Sequence, residues 1–268
     1  MNDKPAAPRP DVPILPAATM LLLREDPDFE VLMVKRHHQI DFASGALVFP
    51  GGKTHAGDAD PRWQRRTLGW GAALPEKRPL RIAAIREAYE EAGILLARHE
   101  DGSPFRGDER AAGARDEIAA DRRPFLDLIT ELDLYLDLEA LSVFAHWITP
   151  PLTPKRFDTW FYLAIAPADQ IALCDGSETV DAEWIAPNEA LRLAAAGERT
   201  VIFPTRMNLQ LLAEAEGPED ALRRAQARQV VTVLPKIVER DGQRLLTLPP
   251  DAGYGVVEEL ISRALGQQ

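Results

Sequence analysis

Between residues 80 and 97 the apolar residues fall at helical spacing, with Ile82, Ile85, Tyr89, Ala92 and Leu96 on one stripe. The same stretch reads Arg86-Glu87-Ala88-Tyr89-Glu90-Glu91-Ala92-Gly93-Ile94. On a helix, Glu87 lies one turn from both Glu90 and Glu91, so three carboxylates converge on one side. Like charges at this spacing repel, and Arg86, one turn before Glu90, offsets only part of the repulsion. A hard divalent cation, taking carboxylate, phosphate and water oxygens, would relieve the remainder. A chain carrying this helix must leave an acidic face in water or build a cation site around it.

The flanking segments are short strands and turns. Residues 17–36 read as a hairpin: two β-prone runs separated by Glu25-Asp26-Pro27-Asp28. Residues 46–49 form a third strand, expected to stop at Pro50-Gly51-Gly52, where the glycines permit positive φ. Residues 98–116 are polar and read as a surface excursion, and residues 125–138 as a helix. Strands follow at 141–148 and 159–166, and a third ends at Trp184-Ile185. Pro187 opens a helix that Gly197 terminates. Helices are expected at 205–216 and 218–228, then a hairpin over 230–248 around Asp241-Gly242. Strands, a helix, more strands and a helix-rich tail predict an α+β fold with a mixed β-sheet.

Composition narrows the function classes. The 268 residues include 42 acidic and 31 basic side chains, a formal net charge of −11, which disfavours binding of nucleic acid through its phosphate backbone. Cys174 is the only cysteine, so an intramolecular disulfide and a cysteine-rich zinc site are both excluded. A lone thiol fits a reducing compartment, and a cytoplasmic location is expected. The longest apolar run, residues 14–23, contains Pro16 and is half of what a membrane-spanning helix needs. Residues 1–13, with four prolines, read as a flexible tail.

The acidic helix and its upstream glycines resemble the signature of the Nudix hydrolases: Gly, five residues, Glu, seven residues, then Arg-Glu-hydrophobic-any-Glu-Glu-any-Gly-hydrophobic. The second half matches residues 86–94, with Ala88 at a place usually bulkier, and the first half matches residues 52–58, with Asp58 in place of Glu. Between Asp58 and Arg86 lie 27 residues, which leaves about 20 inserted, around residues 60–77. An insertion there is similar to a subgroup of coenzyme A diphosphatases. A motif of those enzymes also has counterparts ahead of the box: Leu32-Met33, Arg36, Gly45 and Phe49-Pro50-Gly51-Gly52, although Asp41 stands where a second arginine is usual.

The resemblance implies a Nudix-type α/β/α sandwich over residues 14–200, with residues 201–268 as a helical and hairpin extension packed on it. It implies Mg2+ or Mn2+ held by Glu87, Glu90 and Glu91, with Glu90 and Glu87 as the main ligands and Arg86 orienting them. Glu87 is alternatively the general base. Gly51 and Gly52 would let the backbone approach helix and ligand closely. Glu178, in a polar loop, is a candidate for a further catalytic carboxylate. Arg36, Lys155 and Arg156 are candidates for phosphate contact, with Asp158 a partner for Arg156. Trp63 and Trp70 would stack on a base or, more simply, bury a local cap. The implied substrate is coenzyme A or acyl-coenzyme A, cleaved to phosphopantetheine and adenosine bisphosphate. The alternatives are ADP-ribose or NADH and, in another class, a sensor without catalysis. A homodimer is compatible with the sequence.

Overall fold

The computed structural model describes residues 12–25, 27–36, 45–151, 153, 155–174, 179–255 and 257–264. The first half runs β1 (Ile14–Arg24), β2 (Glu30–Arg36), β3 (Leu47–Val48), β4 (Gly51–Lys53), β5 (Thr67–Leu68), α1 (Arg78–Ala92), β6 (Ala97–Arg98), α2 (Glu109–Ala119) and α3 (Phe125–Glu131). It continues with β7 (Tyr135–Asp137), β8 (Ser142–Ile148), β9 (Arg156–Ile165), β10 (Thr179–Ile185) and α4 (Pro187–Ala195). The remainder is α5 (Phe203–Leu212), α6 (Pro218–Ala227), β11 (Thr232–Val233), β12 (Lys236–Arg240), β13 (Gln243–Thr247), β14 (Glu258–Leu260) and α7 (Ile261–Ala264).

The main sheet is mixed, in the order β10-β2-β1-β9-β8-β11, with β3 added to β2 and β4 to β1. The central pair β1 and β9 is parallel over its whole length, from Ile14 opposite Arg156 to Leu23 opposite Ile165. Both faces are covered, so β1 is a nearly continuous apolar run rather than an alternating one. Ala18, Met20 and Leu22 pack with α1, α2 and α3. Leu21 and Leu23 pack on the opposite side with α4, α5 and α6. The fold is an α/β/α sandwich.

Three local expectations need correction. Residues 125–138 are not one helix: α3 stops at Glu131, Asp133 takes φ 52°, and Leu134, Leu136 and Leu138 then alternate inward with the period of a strand. Residues 98–116 are not wholly a surface excursion. Asp108 accepts a hydrogen bond from the Ala111 amide and starts α2, whose buried side is Ala111, Ala114, Arg115 and Ile118 and therefore gave little hydrophobic signal. Gly51 and Gly52 do not end the strand with positive φ but form β4, paired with Thr19 and Ala18 of β1. The segment around residues 60–77 forms the local cap expected as the simpler role of Trp63: Trp63 is buried, its indole N–H donates to the Gly57 carbonyl, and β5 pairs with β7 in a small sheet. The hairpin around Asp241-Gly242 forms as expected, both residues at positive φ.

Candidate active site

Three elements fix the last turn of α1. Gly93 closes it in the left-handed conformation, φ 72°, and its amide bonds back to Tyr89. Arg115 of α2 donates from Nε to the Glu90 carbonyl at 2.8 Å, placing a cation at the negative end of the helix. Thr179 of β10 donates its hydroxyl to the Glu91 carbonyl. The carboxylates of this helix are therefore presented from a clamped backbone.

Their side is not solvated. Asp58, Arg86, Glu87, Glu90 and Glu91 all lie between 3% and 9% exposed, which excludes the reading of an acidic face left in water. Arg86 is the hub. Its Nη1 donates to Glu87 Oε1 and Glu90 Oε2, both at 2.9 Å, and its Nε and Nη2 grip the two oxygens of Asp58 at 3.0 and 3.1 Å. Nη2 also donates to the Lys53 carbonyl at 2.8 Å. Asp58 in turn accepts the His55 amide at 2.7 Å. Glu91 is oriented separately, accepting the Gly51 amide at 2.9 Å. The pairing of Arg86 with Glu90 was legible from spacing. Its grip on Asp58 was not, although the acid aligned with the first half of the box was the signal for it.

One guanidinium thus faces three carboxylates at contact distance in a low-dielectric setting. Burial opposes the charge on Arg86, but Glu87, Asp58 and Glu90 overcome this and hold it more firmly protonated than usual. Burial pushes the Glu90 carboxyl up to about 8, against the pull of Arg86 and with a further push from Glu87. Burial and the Arg86 charge both depress the His55 imidazole.

The donor set fits a hard divalent ion, being all carboxylate oxygen with negative charge in excess. The glycine beside it supplies clearance: a Cβ at Gly52 would stand 2.6 Å from the Glu87 carboxylate. Among the described residues no three acidic, histidine or cysteine side chains stand arranged to hold an ion, and Arg86 engages one oxygen each of Glu87 and Glu90.

The sheet register extends the site sideways. Gly52, Ala18, Trp160, His146 and Thr232 are successive partners across β4, β1, β9, β8 and β11. His146 stacks on Trp160 with ring centroids 3.9 Å apart, and its two nitrogens engage Thr232 Oγ1 and Asp158. Lys77, just ahead of α1, places its ammonium 3.5 Å from the Trp160 ring centroid. Sequence reading missed this group, because nothing local marks residues brought together by strand register.

The other candidates are dispersed. Arg156 opens β9 and donates to the Thr149 carbonyl, while Asp158 pairs with His146 and not with Arg156. Lys155 is exposed in the preceding turn. The Arg36 backbone ends β2 opposite Thr179. Glu178 and Asp41 lie outside the described residues. Trp70 carries the Arg78 guanidinium on its ring and is packed against the core.

The family model described as the NUDT19 Nudix domain matches residues 64–209, more than half of the chain. The chain belongs to the Nudix family. Among curated relatives, the human acyl-coenzyme A diphosphatase NUDT19 is 31% identical over 204 residues, covering 60% of this chain and 54% of that protein. The Xenopus laevis protein of the same name is 27% identical over 206 residues, covering 61% of this chain and 54% of its own length. The chain spans about half the length of these relatives. A crystal structure of a Nudix hydrolase from Alicyclobacillus acidocaldarius superimposes with a TM-score of 0.69 at 27% identity, covering 79% of this chain and 96% of that one. No helix among the described residues is long and apolar enough to cross a membrane.

Proposed function

We propose that this Nudix protein hydrolyses the diphosphate of coenzyme A or acyl-coenzyme A, releasing phosphopantetheine and adenosine bisphosphate. The observation that carries the reading is the match to the NUDT19 domain model, whose named relatives are acyl-coenzyme A diphosphatases. The buried carboxylates supply the chemistry the reaction needs. Water attacks one phosphorus, the bridging P–O bond breaks, and negative charge on the diphosphate oxygens must be neutralised.

In this reading Glu87, Glu90 and Glu91 hold Mg2+ or Mn2+, which neutralises that charge when bound. Arg86, anchored by Asp58 and the Lys53 carbonyl, sets the orientation of Glu87 and Glu90. Glu87 can also take the proton of the attacking water, its carboxylate lying against Gly52 where a substrate oxygen can approach. Residues 14–200 form the catalytic unit and residues 201–268 its extension, and the single thiol of Cys174 suits a reducing compartment such as the cytoplasm.

The test is incubation of the protein with magnesium or manganese and coenzyme A, acyl-coenzyme A, ADP-ribose or NADH, with products separated by chromatography. Cleavage of a coenzyme A is expected, and turnover of ADP-ribose alone would overturn the proposal. Glu90→Gln should lower metal-dependent turnover by at least about 100-fold. Its melting temperature should not fall, because the variant removes a carboxyl that burial already disfavours as an anion. Full activity in Glu90→Gln would remove the helix from the reaction.

A further inference from the structure

The segment inserted in the box ends at Lys77, and the fold carries that residue onto Trp160. The indole is half-buried and retains solvent exposure. Its orientation is fixed from one side by His146, which is itself held through both nitrogens by Thr232 and Asp158. The Lys77 ammonium rests on the ring at 3.5 Å. An ammonium at a partly exposed ring is held by only about 0.5–1 kcal/mol. A planar base that stacks there gains more, and the displaced ammonium is then free for a phosphate, its stronger partner.

Placement decides which part of a substrate this would be. Trp160 stands two strands from Gly52 in the same row, about 10 Å away at the usual strand spacing. A Cβ at Gly52 would meet the Glu87 carboxylate, beside which the diphosphate is cleaved in the reading above. A ribose with its 5′-phosphate bridges that interval, which sets the purine at the indole.

We propose that Lys77, Trp160 and His146 form a subsite for the adenosine end of the substrate. Trp160 stacks the adenine, His146 braces the indole, and Lys77 turns from the ring to the 3′-phosphate. The inserted segment, on this account, supplies a specificity residue and is more than a spacer. The inference rests on the coenzyme A reading for its ligand, and its test needs no turnover.

Calorimetric titration with adenosine 3′,5′-bisphosphate and with 5′-AMP, both in magnesium, separates the parts. Trp160→Ala should weaken both nucleotides about tenfold, and Trp160→Phe, which keeps a stacking ring, should retain most of the affinity. Lys77→Ala should weaken the bisphosphate about tenfold and shrink its advantage over AMP. An unchanged bisphosphate-to-AMP ratio in Lys77→Ala would overturn the proposal, as would wild-type protein that binds neither nucleotide. Ring-dependent nucleotide binding in a protein that leaves coenzyme A uncleaved would instead sink the coenzyme A reading and leave the subsite standing.

Discussion

Gly51 and Gly52 are adjacent in β4, yet a methyl group added at each meets different matter. At Gly51 it would lie 2.6 Å from the Ala18 carbonyl and 2.7 Å from the Thr19 Cα, both backbone of the central strand. Neither can yield without moving the sheet, so Gly51→Ala should destabilise by about 1–3 kcal/mol. At Gly52 the obstacle is the end of the flexible Glu87 side chain. Gly52→Ala should fold with a loss below about 1 kcal/mol, while pushing Glu87 off Arg86 and lowering turnover about 10- to 100-fold. Thermal melts paired with coenzyme A hydrolysis would show the two effects crossing, one variant unstable and the other stable but slow. Full turnover in Gly52→Ala would mean that the position of Glu87 is irrelevant to catalysis.

Among the elements, α1 was legible because periodic apolar residues, three spaced carboxylates and a terminating glycine all agree. The helix α2 was obscured by its alanines, and the strand β7 by its closeness to α3, since leucines at alternate positions also populate a helical stripe. The inserted segment posed a different difficulty: its order depends on contacts distant in sequence. Trp63 packs against Phe125, with ring centroids 5.7 Å apart, and the Thr67 hydroxyl donates to the Trp63 carbonyl. Trp63→Ala should therefore cost about 3–5 kcal/mol and loosen the segment as a unit. Hydrogen exchange would register this as lost protection at β5 and β7. Protection unchanged at both strands would show that the segment is held by something other than its buried indole.

At the scale of the molecule, the site is a product of strand register. Ala18, Gly52, Trp160, His146 and Thr232 share a row only because β1 lies parallel to β9 and antiparallel to β4, and no local pattern encodes that order. His146 is where the row ties β11 to the rest of the sheet, reaching Thr232 of β11 on one side and Asp158 of β9 on the other. Burial lowers the imidazole pKa, and the nearby Lys77 ammonium lowers it further, while Asp158 works to raise it and is outweighed. A group depressed in the folded state contributes its stability above the unfolded value of 6.5 and loses it as pH falls through the folded value. Chemical denaturation between pH 8 and pH 4 should therefore show a decline below about 6.5 to which this one proton adds at most about 1.4 kcal/mol per pH unit. His146→Gln, which keeps polar contacts but cannot titrate, should flatten that acid limb relative to wild type. An equal slope in the two proteins would place the acid sensitivity elsewhere, with His55, whose pKa burial also depresses, as the next group to substitute.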